Sequence, residues 1–410
     1  MPKDNVVTGL DIGTTKVVAV VAEVTPQGRP NIIGLGETPS GGLRKGIIVD
    51  IENTARAIEK AVEQAERMSG CRITSAFVGL TGPHIGSVNN RGVVAVTGED
   101  GEVGPEDVER VLQAARVIPL AADRRIIHVL PRQYIVDGYD GIMDPIGMSG
   151  SRLEVEAQIV TAAGAAVQNT LKSVQRAGLA IEELVLNPLA SAEAVLQPAE
   201  KELGTVVVDI GGGTTEIAVI SEGSLWYAAV LPVGSEHITS DLAVGLRTPL
   251  TQAENVKKEH GCVLIEAAAE NELIEVPAVG GREKNRVPRK MLAAIIEPRV
   301  EEIFTLVRRE IDGAHFQGLL PGGVVLTGGG ALLEGIPGLA GEVLAMPVRL
   351  GWPENSGGLS DMVASPAYAT AVGLVNYAAG RLAYTQAAAA RDSIWENFWS
   401  RLKSWWRELF

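Results

Sequence analysis

Cysteine is almost absent from the 410 residues: Cys71 and Cys262 stand far apart and form no C-x-x-C pair. Neither a zinc knuckle nor a dithiol redox motif can be written from them. Histidine is also scarce. His84, His128, His237, His260 and His315 are scattered, no H-E-x-x-H occurs, and they read as surface or core residues. Basic residues are in deficit, 36 Lys and Arg against 50 Asp and Glu, for a net charge of −14. So acidic a surface repels phosphate backbones, which excludes non-specific nucleic-acid binding. Any contact with anionic lipid must then come from local apolar insertion. No run of about 18 apolar residues is present, so no segment is expected to span a bilayer. The first residues, MPKDNVVTGLDIG, lack a charged region followed by an apolar one, so no secretory signal is read and the cytoplasm is the expected compartment. The G-x-x-x-x-G-K-[ST] loop and a dinucleotide-type G-x-G-x-x-G are both missing, which removes the P-loop and Rossmann classes.

What is present is a foldable composition, 46% apolar and rich in glycine, in a chain long enough for two or more domains. Two apolar runs around a G-T-T turn predict a hairpin over 6–24. Helical spacing predicts a helix over 52–68 stopped by Ser69-Gly70, and ITSAFVG a strand over 73–79. PEDVERVLQAARVI predicts a helix over 105–118 with proline in its first turn. IIHVLPRQYIV and RLEVEAQIVTA read as strands, 167–178 as a helix, and ELVLNPLASAEAVL as a strand running into a helix. Further helices are expected at 237–246, 251–260, 288–312 and 365–380, and a strand from 323.

An internal repeat carries the chemistry. VVVDIGGGTTEIAVI (206–220) echoes VTGLDIGTTKVVAV (7–20): an apolar run, Asp-Ile-Gly, Thr-Thr, a charged residue, an apolar run. A duplicated strand–turn–strand implies two similar domains facing each other. In the first copy Gly13, Thr14, Thr15 and Lys16 offer backbone amides, hydroxyls and an ammonium to an anion, and Asp11 can hold a hydrated Mg²⁺. In the second, Gly211, Gly212 and Gly213 precede Thr214 and Thr215, with Asp209 as the counterpart of Asp11. Three glycines cost a hairpin roughly 0.5–1 kcal/mol each relative to alanine, which a phosphate cradle would offset. Two such turns can clamp one polyphosphate while the two aspartates share a cation. A third element, VVLTGGGALLEG from Val324, ends a buried strand in glycines on which a flat purine could lie.

In order, DIGTTKV, NPLASAEAVL, VVVDIGGGTTEIAV, VVLTGGGALLEGI and ASPAYATAVGLVNYA resemble the motifs of the actin, hexokinase and heat-shock-chaperone superfamily. DPIGMSGSRLEVEAQIVTA (144–162), TPLTQAENVKKEHGC (248–262) and VPAVGGRE with IIEPRVEEI (276–303) narrow the resemblance to the FtsA family of bacterial cell-division proteins, over essentially the whole chain. The resemblance implies an α/β, two-lobed actin-like (ribonuclease H-like) ATPase fold with a family-specific inserted subdomain and a C-terminal amphipathic helix. It implies a first lobe of 1–85 with 166–193 and 355–385, an insertion at 86–165, and a second lobe of 194–229 with 306–354. A second insertion would cover 230–305, a linker 386–391 and a membrane helix 392–410.

ATP and Mg²⁺ are the implied cofactors, with Gly13–Lys16 and Gly211–Thr215 on the phosphates and Asp11 and Asp209 on the metal. Glu254 and Lys257, one helical turn apart, would contact the ribose, and Gly328, Gly329, Gly330 and Ala331 would receive adenine. Asn187 occupies the place where active relatives carry Gln or Glu to orient water; an amide cannot serve as a carboxylate base, so hydrolysis is expected to be slow or negligible. Asn187 before Pro188 also reads as an N-cap of the following helix, and that reading is preferred. The 86–165 insertion would support head-to-tail filaments. The 230–305 insertion would dock the acidic, apolar C-terminal peptide of the tubulin-like FtsZ, with Arg286, Arg289 and Arg299 in a stretch that also holds Arg282, Lys284 and Lys290. The expected place is the cytoplasmic face of the membrane at the division septum. A small-molecule kinase of the same superfamily, a pilus-assembly protein and a rod-shape filament remain as alternatives.

The last residues, DSIWENFWSRLKSWWRELF (392–410), divide cleanly at helical spacing. Ile394, Trp395, Phe398, Trp399, Leu402, Trp405, Trp406, Leu409 and Phe410 fall on one half of the wheel, and polar residues fill the other. Four of the six tryptophans lie here, and tryptophan favours the membrane interface. Such a helix lies on a bilayer without crossing it. A helix packed on the protein's own core, or in a partner's groove, is the competing reading.

Overall fold

The computed structural model describes residues 5–267, 272–278, 284–314, 316, 320–354 and 356–383. The first sheet begins with β1 (Val6–Ile12), β2 (Lys16–Val24) and β3 (Pro30–Pro39), followed by the two-residue strands β4 (Leu43–Arg44) and β5 (Ile47–Ile48). Helix α1 (Ile51–Ser69) starts at Asp50, whose side chain accepts from Asn53 N, and stops at Gly70 in the left-handed conformation (φ 66°), the stop that Ser-Gly predicts. After β6 (Ser75–Leu80) the chain leaves the lobe. β7 (Gly86–Ala95), α2 (Pro105–Ala115), β8 (Arg124–Val136), β9 (Tyr139–Ile142) and β10 (Arg152–Ala163) form a separate sheet ordered β7-β10-β8-β9. Its core packs Val111 and Ala115 of α2 on Leu153, Val155 and Ile159.

The chain returns through α3 (Gly164–Arg176) and β11 (Ala180–Leu186) into α4 (Asn187–Val195) and α5 (Pro198–Leu203). The second sheet then opens with β12 (Thr205–Ile210), β13 (Thr215–Ser221) and β14 (Ser224–Leu231). It is covered by α6 (Ser235–Gly245) and α7 (Leu250–His260), with the ribbon β15 (Leu273–Pro277) and β16 (Lys284–Pro288), and by α8 (Arg289–Gly313). Strand β17 (Val324–Thr327), α9 (Ile336–Leu344), β18 (Val348–Leu350) and the short β19 (Gly357–Gly358) lead to a final helix, α10, over 369–383.

The two large sheets repeat one another, as the sequence repeat requires. The first runs β11-β6-β1-β2-β3-β19 and the second β14-β13-β12-β17-β18. In each, the opening hairpin is antiparallel (β1–β2, β12–β13) and the first strand pairs in parallel on its other side (β1–β6, β12–β17). Helices α4 and α10 fill the space between the sheets in one shared apolar cluster. Leu189, Ala192, Val195, Val372 and Val375 meet Val18 and Val20 of one lobe and Val207 and Val325 of the other. A Cβ on Gly373 would lie 1.7 Å from Ala190 O, so only glycine lets the two helices approach this closely. The second lobe's own core centres on Phe304, fully buried on α8, a side chain whose burial contributes about 1.5–3 kcal/mol. Boundaries differ from the sequence expectation mainly at α2, which stops at Ala115; Val117 beyond it is exposed.

Candidate functional site

The two hairpin turns form the floor of a cavity of about 570 Å³ between the lobes, a volume suited to a nucleotide-sized ligand. Gly13 N donates to Lys16 O at 3.0 Å, and Gly211 N to Thr214 O at 2.9 Å, so both copies close the same tight turn. The turns also touch. A Cβ on Gly212 would come within 2.4 Å of Thr15 Cγ2, and one on Gly213 within 2.7 Å of Thr14 Oγ1. The extra glycines of the second copy are thus what lets the threonines of the first reach it. The N-terminus of α6 binds the back of the second turn, Ser235 N to Gly211 O and Glu236 N to Gly212 O, each at 2.9 Å. Since a trans peptide places C=O and N–H on opposite edges, the amides of Gly212 and Gly213 turn away from α6.

Three carboxylates gather beneath the turns. Burial, then the charge of Asp209, pushes Asp11 up to about 7, against the attraction of Lys16. Burial raises Asp209 too, although Ser191 Oγ (2.7 Å) and Thr370 Oγ1 (3.2 Å) both donate to it. Glu216 is raised well above the usual carboxylate range by burial and then by Asp209. Its Oε1 accepts from Thr81 Oγ1, while Oε2 is buried without a hydrogen-bond partner. Carboxylates held this far from their preferred ionisation, one with an orphaned oxygen, have the chemistry that a hard cation relieves. Among the described residues no three His, Cys, Asp or Glu side chains converge to hold a bare metal ion. The residues therefore fit Mg²⁺ with water or phosphate oxygens completing its shell.

The side walls are polar and tightly tied. Lys16 Nζ sits 2.9 Å from Glu37 Oε2 and 3.7 Å above the Tyr368 ring. Across the cavity Lys257, almost wholly buried, contacts Glu254 Oε2 (2.7 Å), Thr239 Oγ1 (2.8 Å) and Ser235 O (3.1 Å). Burial lowers its pKa, with Glu254 opposing. Gly328, at φ 86°, packs against Asp209, where a Cβ would stand 2.2 Å from Oδ1.

Of the residues singled out from the sequence, Asp11, Gly13, Thr14, Thr15, Lys16, Asn187, Asp209, Gly211, Gly212, Thr214, Glu254, Lys257 and Gly328 to Gly330 line the cavity. Gly213 lies behind Thr14, Thr215 is buried and donates to Val233 O, and Ala331 is buried under the floor. The capping role expected of Asn187 is corrected. The N-cap of α4 is Leu186, and Asn187 is already helical. β11 runs directly into the helix, so Asn187 lines the cleft together with Asp11, its buried Oδ1 lacking a donor. The three arginines do not act as one patch. Arg289 lines the cavity and binds His260 O and the carboxylates of Glu272 and Glu334. Arg299 holds Asp241 of α6 at 2.6 Å, and Arg286 is the one left exposed, 3.5 Å from Glu275. The tail residues Ile394 to Phe410 lie outside the described residues. No described helix is long and apolar enough to cross a membrane.

Sequence reasoning missed Thr81, Ser191, Glu216 and Thr370. Ser191 and Thr370 stood inside motifs already quoted, and Glu216 is the charged residue of the second repeat, where the first copy has Lys16. Nothing marked Thr81.

Two β-hairpins of one pattern, one per lobe, facing a shared cleft define an actin-like fold, and solved structures bear this out. The chain is similar to a PilM–PilN type IV pilus biogenesis complex (TM-score 0.65, 20% identity, 91% of this chain and 98% of that one). It is also similar to MreB5 of Spiroplasma citri bound to ADP (TM-score 0.51, 16% identity, 91% and 95%). The family model for cell division protein FtsA matches residues 206–373, and that for the SHS2 domain inserted in FtsA matches residues 82–161. The cell division protein FtsA of Pseudomonas aeruginosa is 47% identical over 371 residues, 90% of this chain and 88% of the relative. That of Escherichia coli K12 is 40% identical over 416 residues, 98% of each. The chain belongs to the FtsA family of actin-like cell-division proteins.

Proposed function

We propose that the chain binds ATP with Mg²⁺ in this cleft and, so loaded, polymerises on the cytoplasmic face of the membrane to tie FtsZ filaments to the division septum. One observation carries the nucleotide reading: two glycine turns, one per lobe, touch over three carboxylates whose ionisation burial, reinforced by neighbouring carboxylate charge, suppresses. The turns would hold the phosphates, Asp11 and Asp209 the hydrated metal with Glu216 beside them, Glu254 and Lys257 the ribose, and Gly328 to Gly330 the base. Magnesium would supply charge neutralisation for the phosphate oxygens. ATP would then favour the closed arrangement in which the turns meet.

Asn187 supports binding without brisk hydrolysis. Its amide cannot accept a proton from water. The insertion at 86–165 would make filament contacts, the 230–305 segment would receive the acidic FtsZ peptide, and 392–410 would lie on lipid. Equilibrium titration with ATP, with and without Mg²⁺, tests the core of this reading. Magnesium-dependent binding that D209N weakens at least about tenfold is expected; a chain that takes up no ATP at millimolar nucleotide refutes it.

A further inference from the structure

The inserted sheet meets the strand-to-helix junction beside the nucleotide cleft through a buried histidine. His128, on β8, is buried, and its Nε2 accepts the backbone N–H of Leu186 at 3.1 Å. Leu186 is the N-cap of α4, and the next residue is Asn187, which lines the cleft together with Asp11. With Nε2 accepting, the ring proton sits on Nδ1, 3.9 Å from Glu183 Oε1 on β11. Burial holds the imidazole down to about 4, opposed by Glu183 and assisted by Arg381, so the ring stays neutral and remains an acceptor. Tyr377 of α10 stands edge-on to the ring and donates to Glu183 Oε1 at 2.7 Å. Three units, the insertion, the Asn187-bearing strand-to-helix junction and α10, therefore meet at one imidazole.

We propose that His128 is a positioning residue for the nucleotide site: its Nε2 fixes the start of α4, and with it the place of Asn187 in the cleft it shares with Asp11, the carboxylate that would face the metal. The insertion thereby sets the quality of the cation site without touching nucleotide. A shift of β8 against β11, as a contact on the inserted sheet could produce, would move the Leu186 N–H and with it Asn187. The histidine is not a core filler, because a filler needs shape alone and this one also supplies an acceptor to a buried amide that β11 pairing leaves for it. The inference rests on the ATP and Mg²⁺ reading above.

The test uses the full chain and titrates ATP with and without Mg²⁺ in wild type, H128F, H128Q and Y377F, alongside thermal melting. H128F keeps a planar aromatic ring and removes the acceptor. It should weaken binding about tenfold with Mg²⁺, a change of about 1.4 kcal/mol, and leave magnesium-free binding near wild type. H128Q restores an acceptor oxygen and should recover most of the loss. Y377F cuts the bond to Glu183 while leaving the Leu186 N–H bound, and should change neither titration. If H128F does not fold, H128L carries the same comparison. H128F equal to wild type, or weakened alike with and without Mg²⁺, overturns the positioning role while leaving the nucleotide reading intact. A wild-type chain that binds no ATP removes both.

Discussion

Thr81 Oγ1, just past β6 of the first lobe, donates to Glu216 Oε1 on β13 of the second at 2.5 Å. The bond crosses the cleft, and it is made to a carboxylate whose other oxygen has no partner and whose ionisation burial already disfavours. Thr81→Val keeps the shape and removes the donor, leaving Oε1 only the long 3.5 Å bond from Thr214 Oγ1, at a cost of about 1–3 kcal/mol. We expect a lower melting temperature for the nucleotide-free chain, part of it recovered on adding ATP and Mg²⁺. Melting curves for T81V that match wild type would show that the lobes are held together elsewhere.

Asp11 makes stability depend on pH in a stated direction. Its folded pKa of about 7 lies above the ordinary 3.8. Below about 3.8 the folded and unfolded chains are both protonated, and the contribution is fully present. Between the two values the folded chain keeps a proton the unfolded chain has released, so stability falls as pH rises towards 7. The melting temperature of the nucleotide-free protein should therefore drop from about pH 5 to about pH 8, and the drop should shrink in D11N. Affinity for ATP with Mg²⁺ should rise over the same window in wild type, since the metal needs the ionised carboxylate. A D11N profile with an undiminished slope would place the titration on another group.

Adjacent glycines should respond in opposite ways. Gly328 has φ 86°, and a Cβ there meets Asp209 Oδ1 at 2.2 Å; at Gly329 the nearest atom is Ala367 Cβ at 3.7 Å. G328A must bear an alanine at positive φ with extended ψ (86°, 162°), a region essentially reserved for glycine, at about 1–3 kcal/mol, and displace the aspartate. It should lose both stability and magnesium-dependent ATP binding, while G329A should keep its stability. Equal behaviour of the two variants in denaturant unfolding and ATP titration would contradict this account of the floor.

How much of this was readable from the chain depends on how local each signal is. The hairpins, α1 with its Gly70 stop and the doubled Asp-Ile-Gly turns rest on residues within a few positions of one another, and pattern carries them. Asn187 misled because Asn-Pro marks a helix start equally well at the N-cap and one residue later. Only the path of β11 distinguishes the two, and that path is fixed by its parallel pairing with β6. Thr81 and Glu216 are 135 residues apart, and Arg299 finds Asp241 across 58, so no window along the sequence could join them. A run of arginines reads as a basic surface until the acids that neutralise it are placed.

That placement separates the arginines as tests of partner docking. Arg286 is exposed and paired only loosely with Glu275, whereas Arg299 clamps α8 to α6 through both Asp241 oxygens. R286E should weaken binding of an acidic, apolar FtsZ-type peptide and leave the melting temperature unchanged. R299E should itself cost about 1–3 kcal/mol of stability by setting a glutamate against Asp241. Fluorescence anisotropy with a labelled peptide, read beside thermal melts, checks both. Unaltered peptide affinity in R286E would move the docking site off the β15–β16 ribbon.

The tail gives a prediction in which apolar insertion and charge diverge. Residues 391–410 hold Arg391, Arg401, Lys403 and Arg407 against Asp392, Glu396 and Glu408, nearly balanced within a chain of net −14. If the tryptophan-rich face binds lipid, the attraction is apolar, because the rest of the protein is repelled by anionic headgroups. Raising ionic strength from about 0.1 M to about 1 M shortens the screening length from about 10 Å to about 3 Å. Vesicle co-sedimentation should therefore survive high salt, and should strengthen if repulsion of the acidic body is the main electrostatic effect. Removing 392–410 should abolish pelleting while ATP affinity stays at its wild-type value. W405E, one charge on the apolar face, should approach the deletion. Pelleting that persists without the tail would transfer the lipid contact to the folded body, and pelleting that collapses in salt would replace insertion with charge as its cause.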